Sequence, residues 1–167
     1  MSNNDILIRL RYALDMKDAD IVEIFKLGGI ELTIEDVLKI LIKVDDDVDI
    51  EENEEIMNCN NFMLESFLNG FIIFKRGKQD LKTEKTAKVV LSMNNSRSVN
   101  NVLLKKLKIA LALSSEDMID ILEEAGVMIT KGELSAVFRK EGHKNYIECG
   151  DRYARNFLKG LAIKYRE

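Results

Sequence analysis

The chain contains no proline and no tryptophan, and His143 is its single histidine. A helical fold tolerates the absence of proline better than a β-sandwich does, because sandwiches use proline at edge strands and turns. No run of about 18 uncharged apolar residues occurs, so the sequence predicts no membrane span. The start of the chain, with Asp5 among polar residues, lacks the basic patch and apolar run of a signal peptide.

Two cysteines in 167 residues are too few for a disulfide framework, which indicates a reducing compartment. The apolar share of 46% is that of a globular protein rather than a disordered one. The length suits one compact domain or two small ones. We therefore expect a cytoplasmic protein without a membrane partner.

The chain repeats itself. Placing Asn4 on Asn101 aligns ILIRLRYALDMKDADIVEIFKLGGIELT with LLKKLKIALALSSEDMIDILEEAGVMIT. An insertion in the first copy then shifts the register, after which CNNFMLESFLNGFIIFKRG aligns with CGDRYARNFLKGLAIKYRE. The matches fall at apolar helical spacings and at glycines, the positions that a shared backbone requires. Four segments matching in the same order indicate a duplicated unit.

Each copy is predicted to contain four helices, because its apolar residues recur at spacings of 3, 4 and 7. Capping residues mark where the second and third helices begin, and glycines mark where the second helix ends in a left-handed conformation. The predicted N-caps are Asp18, Thr33, Thr130 and either Ser114 or Ser115, and the predicted terminating glycines are Gly28, Gly29 and Gly126.

The predicted architecture is all-α, with two tandem four-helix repeats packed together about a pseudo-two-fold axis and joined by a polar connector. Residues 1–76 form the first repeat, which is acidic, with 8 basic and 17 acidic side chains. Residues 77–99 form a Lys-rich linker with room for one short helix. Residues 100–167 form the second repeat, which is mildly basic, with 12 basic and 10 acidic side chains.

Four segments give the sequence a family resemblance: NDILIRLRYAL, FLNGFIIFKRGK, NNVLLKKLKIAL and HKNYIECGDRYARNFLKGL. Together, and in this order over essentially the whole chain, they resemble the YehS-like family of small duplicated bacterial proteins of unknown function. The resemblance implies no activity, substrate, cofactor or functional residue. The first copy departs from the second in having Asn60-Asn61 after its cysteine, where the second has Gly150-Asp151.

Cys59 and Cys149 occupy equivalent positions, each just before the last helix of its copy. A pseudo-two-fold axis near them would allow a redox-sensitive bridge if the Cα atoms lie within roughly 7 Å of one another. A catalytic thiol needs a neighbour that lowers its pKa, and neither cysteine has a CxxC motif or a partner acid at helical spacing. Burial in the core is the alternative, since small buried cysteines are common.

Catalytic, metal and cofactor motifs are missing from the sequence. His143, Cys149 and Asp151 do not have metal-ligand spacing. DDDVDIEENEE places acids at positions 1, 3 and 5 of a calcium loop, but Ile50 and Ile56 stand where glycine and the bidentate glutamate belong. No glycine-rich phosphate loop or serine elbow occurs. The sequence predicts a protein that is not an enzyme and has no cofactor.

Both copies contain a helix-turn-helix-like unit, in residues 18–43 and 116–140. The turn is longer than the three or four residues typical of DNA-binding forms. The helices that would enter the major groove begin with Glu35-Asp36 in one copy and carry Glu133 in the other, and acids there oppose the phosphate backbone. The net charge of −4 also disfavours nucleic acid as a partner.

Basic side chains recur at spacings of 3, 4 and 7 in the last helix, so they lie along one helical face. A shorter basic pair stands in the helix that opens the second copy. A solvated face, an acidic protein, RNA and the acidic first copy of a neighbouring chain all remain open as explanations. The candidate basic face consists of Arg152, Arg155, Lys159, Arg166, Lys105 and Lys108.

The last helix of the first copy is apolar nearly all round, and four short helices could hardly cover it. We predict that this helix lies against the other copy or across a homodimer interface; exposed ends are the alternative. The candidate interface residues are Phe62, Met63, Phe71, Ile72 and Phe74.

The sequence thus predicts a non-catalytic binding or regulatory module that acts through contacts with a partner protein. A nucleic-acid-binding regulator, using the helix-turn-helix-like units or the face of Arg152, Arg155 and Lys159, is the second hypothesis. A thiol redox sensor based on Cys59 and Cys149 is the third.

Overall fold

A computed structural model describes residues 2–42, 56–77, 98–139 and 143–166. Regular structure in these four ranges is α-helical throughout, with four helices in each copy. The first copy contains α1 (Asn3–Ala13), α2 (Asp18–Leu27), α3 (Ile34–Ile40) and α4 (Asn61–Arg76); the second contains α5 (Val99–Ala110), α6 (Ser115–Glu124), α7 (Lys131–Val137) and α8 (Asp151–Arg166).

The two copies match helix for helix, as the sequence repeat predicts. The starts of α2 and α6 differ by 97 residues (115 − 18), and so do those of α3 and α7 (131 − 34). The starts of α4 and α8 differ by 90 (151 − 61), because the first copy carries its insertion before α4. In both copies the last helix has 16 residues. The predicted acidic loop, residues 45–55, and most of the predicted linker, residues 78–97, lie outside the described residues.

Capping boxes start α3 and α7, as predicted, and one also starts α6, where Ser114 is the N-cap of the two candidate serines. Thr33, Ser114 and Thr130 each accept a hydrogen bond from the backbone N–H three residues later, and the acid at that position accepts one in return. The prediction for α2 is wrong by one residue. Its N-cap is Lys17, whose backbone N–H donates to Asp20 at 3.1 Å, and Asp18 is already helical.

Glycines end α2 and α6 and also set how closely helices cross. Gly29 and Gly126 have φ values of 97° and 90°, the left-handed conformation predicted for them. A Cβ on Gly70 would stand 1.9 Å from the Ile24 carbonyl oxygen, and one on Gly160 would stand 2.2 Å from that of Ile121. Therefore α2 on α4, and α6 on α8, approach to backbone contact.

The first helix of each copy packs mainly against the last helix of the other copy. Helix α1 lies along α8, and α5 lies along α4, while α2 and α6 stay with the last helix of their own copy. One continuous core results, with Phe25, Phe67, Phe71 and Phe157 among its fully buried side chains. We call the two cross-copy contacts the α1–α8 seam and the α4–α5 seam. Within the ranges given above, no helix is both long and apolar enough to cross a membrane.

Candidate functional site

Two buried asparagines hold the first helix of each copy at its starting end. Asn4 Nδ2 donates to the carbonyl oxygens of Ile40 (3.1 Å) and Met57 (2.8 Å), and its Oδ1 accepts from the Cys59 N–H at 2.9 Å. Asn101 repeats all three bonds, to Val137, Ile147 and Cys149. Each asparagine thus ties its helix to two segments of its own copy.

Two arginines hold the other end of the same helices, but across the copies. Arg76 Nη1 donates to the Ile109 carbonyl oxygen at 3.2 Å, and Arg166 Nη1 donates to that of Tyr12 at 2.9 Å. The Arg166 guanidinium also lies 4.2 Å from the centre of the Tyr12 ring and 3.5 Å from Asp15 Oδ1. Arg166 belongs to the predicted basic face, but the structure uses it to join α8 to α1.

The α4–α5 seam contains a buried ion pair. Lys106 Nζ lies 3.5 Å from Glu65 Oε2 and donates to Asn69 Oδ1; the Glu65 side chain is 1% exposed. Burial lowers the pKa of Lys106, and Glu65 opposes this shift. The Nδ2 atom of Asn69 is buried and has no hydrogen-bond partner among the residues that the structure describes. The two charges inside this seam are therefore paired with one another.

The α1–α8 seam has basic residues at the same three places. Arg9 aligns with Lys106, Arg155 with Glu65, and Lys159 with Asn69. All three are exposed, and no carboxylate of the described residues forms an ion pair with any of them. Because α1 packs along α8 as α5 packs along α4, we infer from this equivalence that Arg9 lies on the same side of the seam as Arg155 and Lys159. We call these three residues the seam cluster.

The remaining members of the predicted basic face are spread over two places. Arg152 is exposed one turn before the seam cluster on α8, whose first turn also contains Asp151. Asn100 donates to Asp151 at 2.8 Å, and this bond is the largest cause of the lowered pKa of Asp151. Lys105 and Lys108 lie on α5, which lies chiefly along α4. The predicted face is therefore not one surface.

Sequence reasoning found Arg155 and Lys159 but missed Arg9. The repeat contains a signal for it, because Arg9 occupies the position of Lys106 in the alignment. The alignment places Arg9 with Arg155 and Lys159 only once the packing of α1 on α8 is known.

Both cysteines are free, buried and held as thiols. Cys59 and Cys149 are each 2% exposed, and burial raises the pKa of each to about 12. Their Sγ atoms donate to the carbonyl oxygens of the following residues, Asn60 and Gly150. A thiol with a raised pKa is a poor nucleophile at neutral pH, so these surroundings do not favour the redox hypothesis.

His143 lies on the surface, where its Nδ1 accepts the Asn145 N–H at 3.1 Å. Across the portions of the chain that the structure covers, no group of three or more His, Cys, Asp or Glu side chains is arranged to hold a metal ion.

The third helices of the helix-turn-helix-like units start with acids that cap them. Asp36 accepts from the Thr33 N–H at 3.1 Å and Glu133 from the Thr130 N–H at 3.3 Å, so both carboxylates stand at the helix N-terminus. The two copies differ on the outer face of this third helix, which is apolar in the first copy. In α3 and just after it, Ile34, Leu38 and Ile42 are exposed.

The candidate interface residues of α4 divide by burial. Phe71 is fully buried, Met63 and Ile72 are half-buried, and Phe62 and Phe74 are exposed. Because α4 lies along α5, its predicted contact with the other copy occurs within one chain.

Comparison with known proteins identifies relatives without a described activity. A family described as "Protein of unknown function (DUF1456)" matches residues 3–77 and 100–167, which are the two copies. The "Uncharacterized protein YehS" of Escherichia coli (strain K12) is 38% identical over 165 residues, which is 98% of this chain and 96% of that protein. No solved structure gives a significant match.

Proposed function

Since the chain belongs to the DUF1456 family, whose description names no activity, we propose from its own surface that it is a non-catalytic binding module acting through contacts with a partner protein. The binding surface is the outer face of α3. Ile34, Leu38 and Ile42 define this surface, which we call the α3 strip.

The exposure of the α3 strip carries the proposal. Ile34 is 52% exposed, Leu38 49% and Ile42 37%. Their spacing of four residues places them one above another on the same side of the helix. Contiguous apolar groups in water are unfavourable, and such patches are typical of surfaces that another protein covers.

The second copy supports this interpretation because it has polar residues at the same positions. Lys131, Ser135 and Arg139 align with Ile34, Leu38 and Ile42, and Ser135 and Arg139 are exposed. The helical unit therefore does not require apolar side chains there in order to fold. Their presence in the first copy suits a binding role confined to that copy.

Acidic side chains flank the α3 strip. Glu31 and Glu35 are both exposed, and Asp36 belongs to the capping box of the same helix. We infer a partner protein that presents an apolar face rimmed by lysine or arginine, because complementary charges steer association and fix its orientation.

The test compares Leu38→Lys with Ser135→Lys in the full chain. Both variants place a lysine at the same position of an equivalent helix, and Ser135→Lys is the control. We expect a partner captured from the native cell, then purified, to bind the wild type and Ser135→Lys equally and to bind Leu38→Lys at least tenfold more weakly.

Light scattering of the purified protein separates a foreign partner from a second copy of the chain. A dimer that Leu38→Lys disrupts and Ser135→Lys preserves would assign the α3 strip to self-association. Equal binding of the partner by both variants would refute the proposal.

A further inference from the structure

The seam cluster concentrates positive charge in a chain whose formal net charge is −4. Helix α8 itself carries five basic residues and one acid, and Arg9 on α1 adds a sixth basic side chain from across the seam. Arg166 is held by Asp15. The hydrogen bonds of Ser114 chiefly lower the pKa of Asp117, and the charge of nearby Lys164 adds to this effect. After the larger effect of the Asn100 hydrogen bond, Arg155 contributes in the same way to the lowered pKa of Asp151, four residues before it. Within the described ranges no carboxylate forms an ion pair with Arg9, Arg155 or Lys159.

Like charges at one place disfavour the folded state, and the α4–α5 seam shows that the fold does not require them. There the same three positions form an attractive set of Lys106, Glu65 and Asn69. The fold therefore does not need the positive side chains of the seam cluster at these positions. Anions are the ligands that it suits.

An exposed aromatic ring lies at the end of the same seam. Tyr12 is 61% exposed and stands three residues, or one turn, after Arg9. The guanidinium of Arg166 lies over its ring. Ile109 takes the place of Tyr12 in the α4–α5 seam, so an exposed aromatic ring at this position belongs to the α1–α8 seam alone.

We propose that the α1–α8 seam binds single-stranded nucleic acid, with Arg9, Arg155 and Lys159 contacting phosphates and Tyr12 stacking on a base. A basic groove combined with an exposed aromatic ring is the arrangement by which proteins bind single strands with little sequence preference. An acidic protein would satisfy the cations but would bring no planar base for Tyr12. A duplex keeps its bases stacked inside and out of reach of the ring.

The experiment is fluorescence anisotropy on the full chain with a labelled oligouridylate of about 12 nucleotides, a length within the range of single-strand sites. An oligothymidylate, a duplex of equal length and a polyglutamate peptide are the comparison probes. Both single strands should bind at low salt. Three phosphate contacts predict a slope of about −2 for log affinity against log salt, at about −0.7 for each contact on a single strand.

A double substitution, Arg155→Glu with Lys159→Asn, gives α8 the side chains that α4 has at the equivalent positions, opposite Arg9 in place of Lys106. Since Lys106 pairs with Glu65 there, the variant should fold with an unchanged or higher Tm. Its affinity for oligouridylate should fall by at least tenfold. Lys26→Glu with Lys144→Asn makes the same change in net charge at exposed positions elsewhere and should bind as the wild type does.

Two further variants separate stacking from charge. Tyr12→Ile introduces the residue of the equivalent position, and it should lower affinity about tenfold without changing the salt slope. Arg9→Gln should reduce the slope by about 0.7, and it provides the charge test if the double variant fails to fold.

Four outcomes would overturn the proposal. They are no binding of either single strand at low salt, equal loss of affinity in the charge-matched control, tighter binding of the duplex, and polyglutamate binding as tight as that of oligouridylate.

Discussion

The ammonium of Lys106 lies 3.5 Å from the carboxylate of Glu65, and this pair joins the first helix of the second copy to the last helix of the first. It lies within a seam that also contains Asn69, and both of its side chains are largely removed from water. An isolated charge in such surroundings is costly, so the partners depend on one another.

Lys106→Met should therefore destabilise the protein by about 3 kcal/mol, because it leaves the buried Glu65 carboxylate without its ammonium partner. Urea denaturation at pH 7 measures the change in the free energy of unfolding. Lys105→Met, at the exposed neighbouring position, is the control and should change stability by less than about 0.5 kcal/mol. Equal effects of the two substitutions would contradict a buried pair.

Replacing both partners together, as Lys106→Met with Glu65→Leu, should restore most of the lost stability, because apolar side chains of similar volume avoid the desolvation of two charges. A double variant less stable than Lys106→Met alone would show that the seam does not accept an apolar filling.

Asn4→Ala should cost about 3 kcal/mol of stability. The substitution leaves two carbonyl oxygens and the Cys59 N–H without their side-chain partner in the interior. Asn101→Ala should have a similar effect, since Asn101 makes the same three bonds. Asn3→Ala removes a single half-buried bond to Asn61 and should cost about 1 kcal/mol or less, measured by the same denaturation.

Gly70→Ala and Gly160→Ala should each destabilise the fold by at least about 2 kcal/mol, because the new methyl group collides with a backbone carbonyl and forces two helices apart. Gly132→Ala provides the contrast. Its nearest neighbour would be 3.9 Å away, within a helix, so alanine should stabilise the protein by about 0.5–1 kcal/mol. Thermal unfolding of all three variants checks the opposite signs.

Alkaline pH should destabilise the protein through its thiols. The pKa of Cys59 and of Cys149 rises from the ordinary 9.0 to about 12 on folding. Between those values the folded state keeps protons that the unfolded state releases, so the free energy of unfolding falls as pH rises. The stabilisation is fully present below about pH 9.

Denaturation at pH 8, 9 and 10 measures this slope, and Cys149→Ala should make it shallower by up to about 1.4 kcal/mol per pH unit. Because Lys106 and Tyr165 titrate in both proteins, the difference between wild type and variant isolates the thiol. An unchanged slope would show that the Cys149 thiol is not protonated in the way its burial requires.

The redox hypothesis requires the same two thiols to be reactive in the folded protein. Since both are buried, we expect a thiol reagent at pH 8 to label neither cysteine in the folded protein and both in urea. Rapid labelling of native protein, or a reversible Cys59–Cys149 bridge under mild oxidation, would restore that hypothesis.

The helices, their caps and the duplication could be predicted from the sequence because local patterns determine them. Thr33 and Thr130, for example, have the capping acid three residues later in both copies. The predicted start of α2 is one residue too late. The N-cap is Lys17, whose backbone N–H donates to Asp20, but a lysine side chain is not of a typical capping type. Side-chain preferences therefore pointed to Asp18 instead.

The pairing of α1 with α8 could not be predicted, because periodicity shows that a helix has an apolar face but not which helix covers it. In a duplicated chain, the apolar face of the first helix of a copy can be covered by the last helix of either copy. The seam cluster could not be predicted for the same reason. Arg9 and Arg155 are 146 residues apart in the sequence (155 − 9), and only the cross-copy packing places their helices side by side.

The cross-copy packing of the first helices is the central claim, and nuclear Overhauser contacts of the Tyr12 ring test it most directly. We predict contacts from the Tyr12 ring to the side chain of Arg166, whose guanidinium lies 4.2 Å from the ring centre. Contacts to Arg76 instead, the equivalent residue of its own copy, would contradict it, because α1 would then pack on α4.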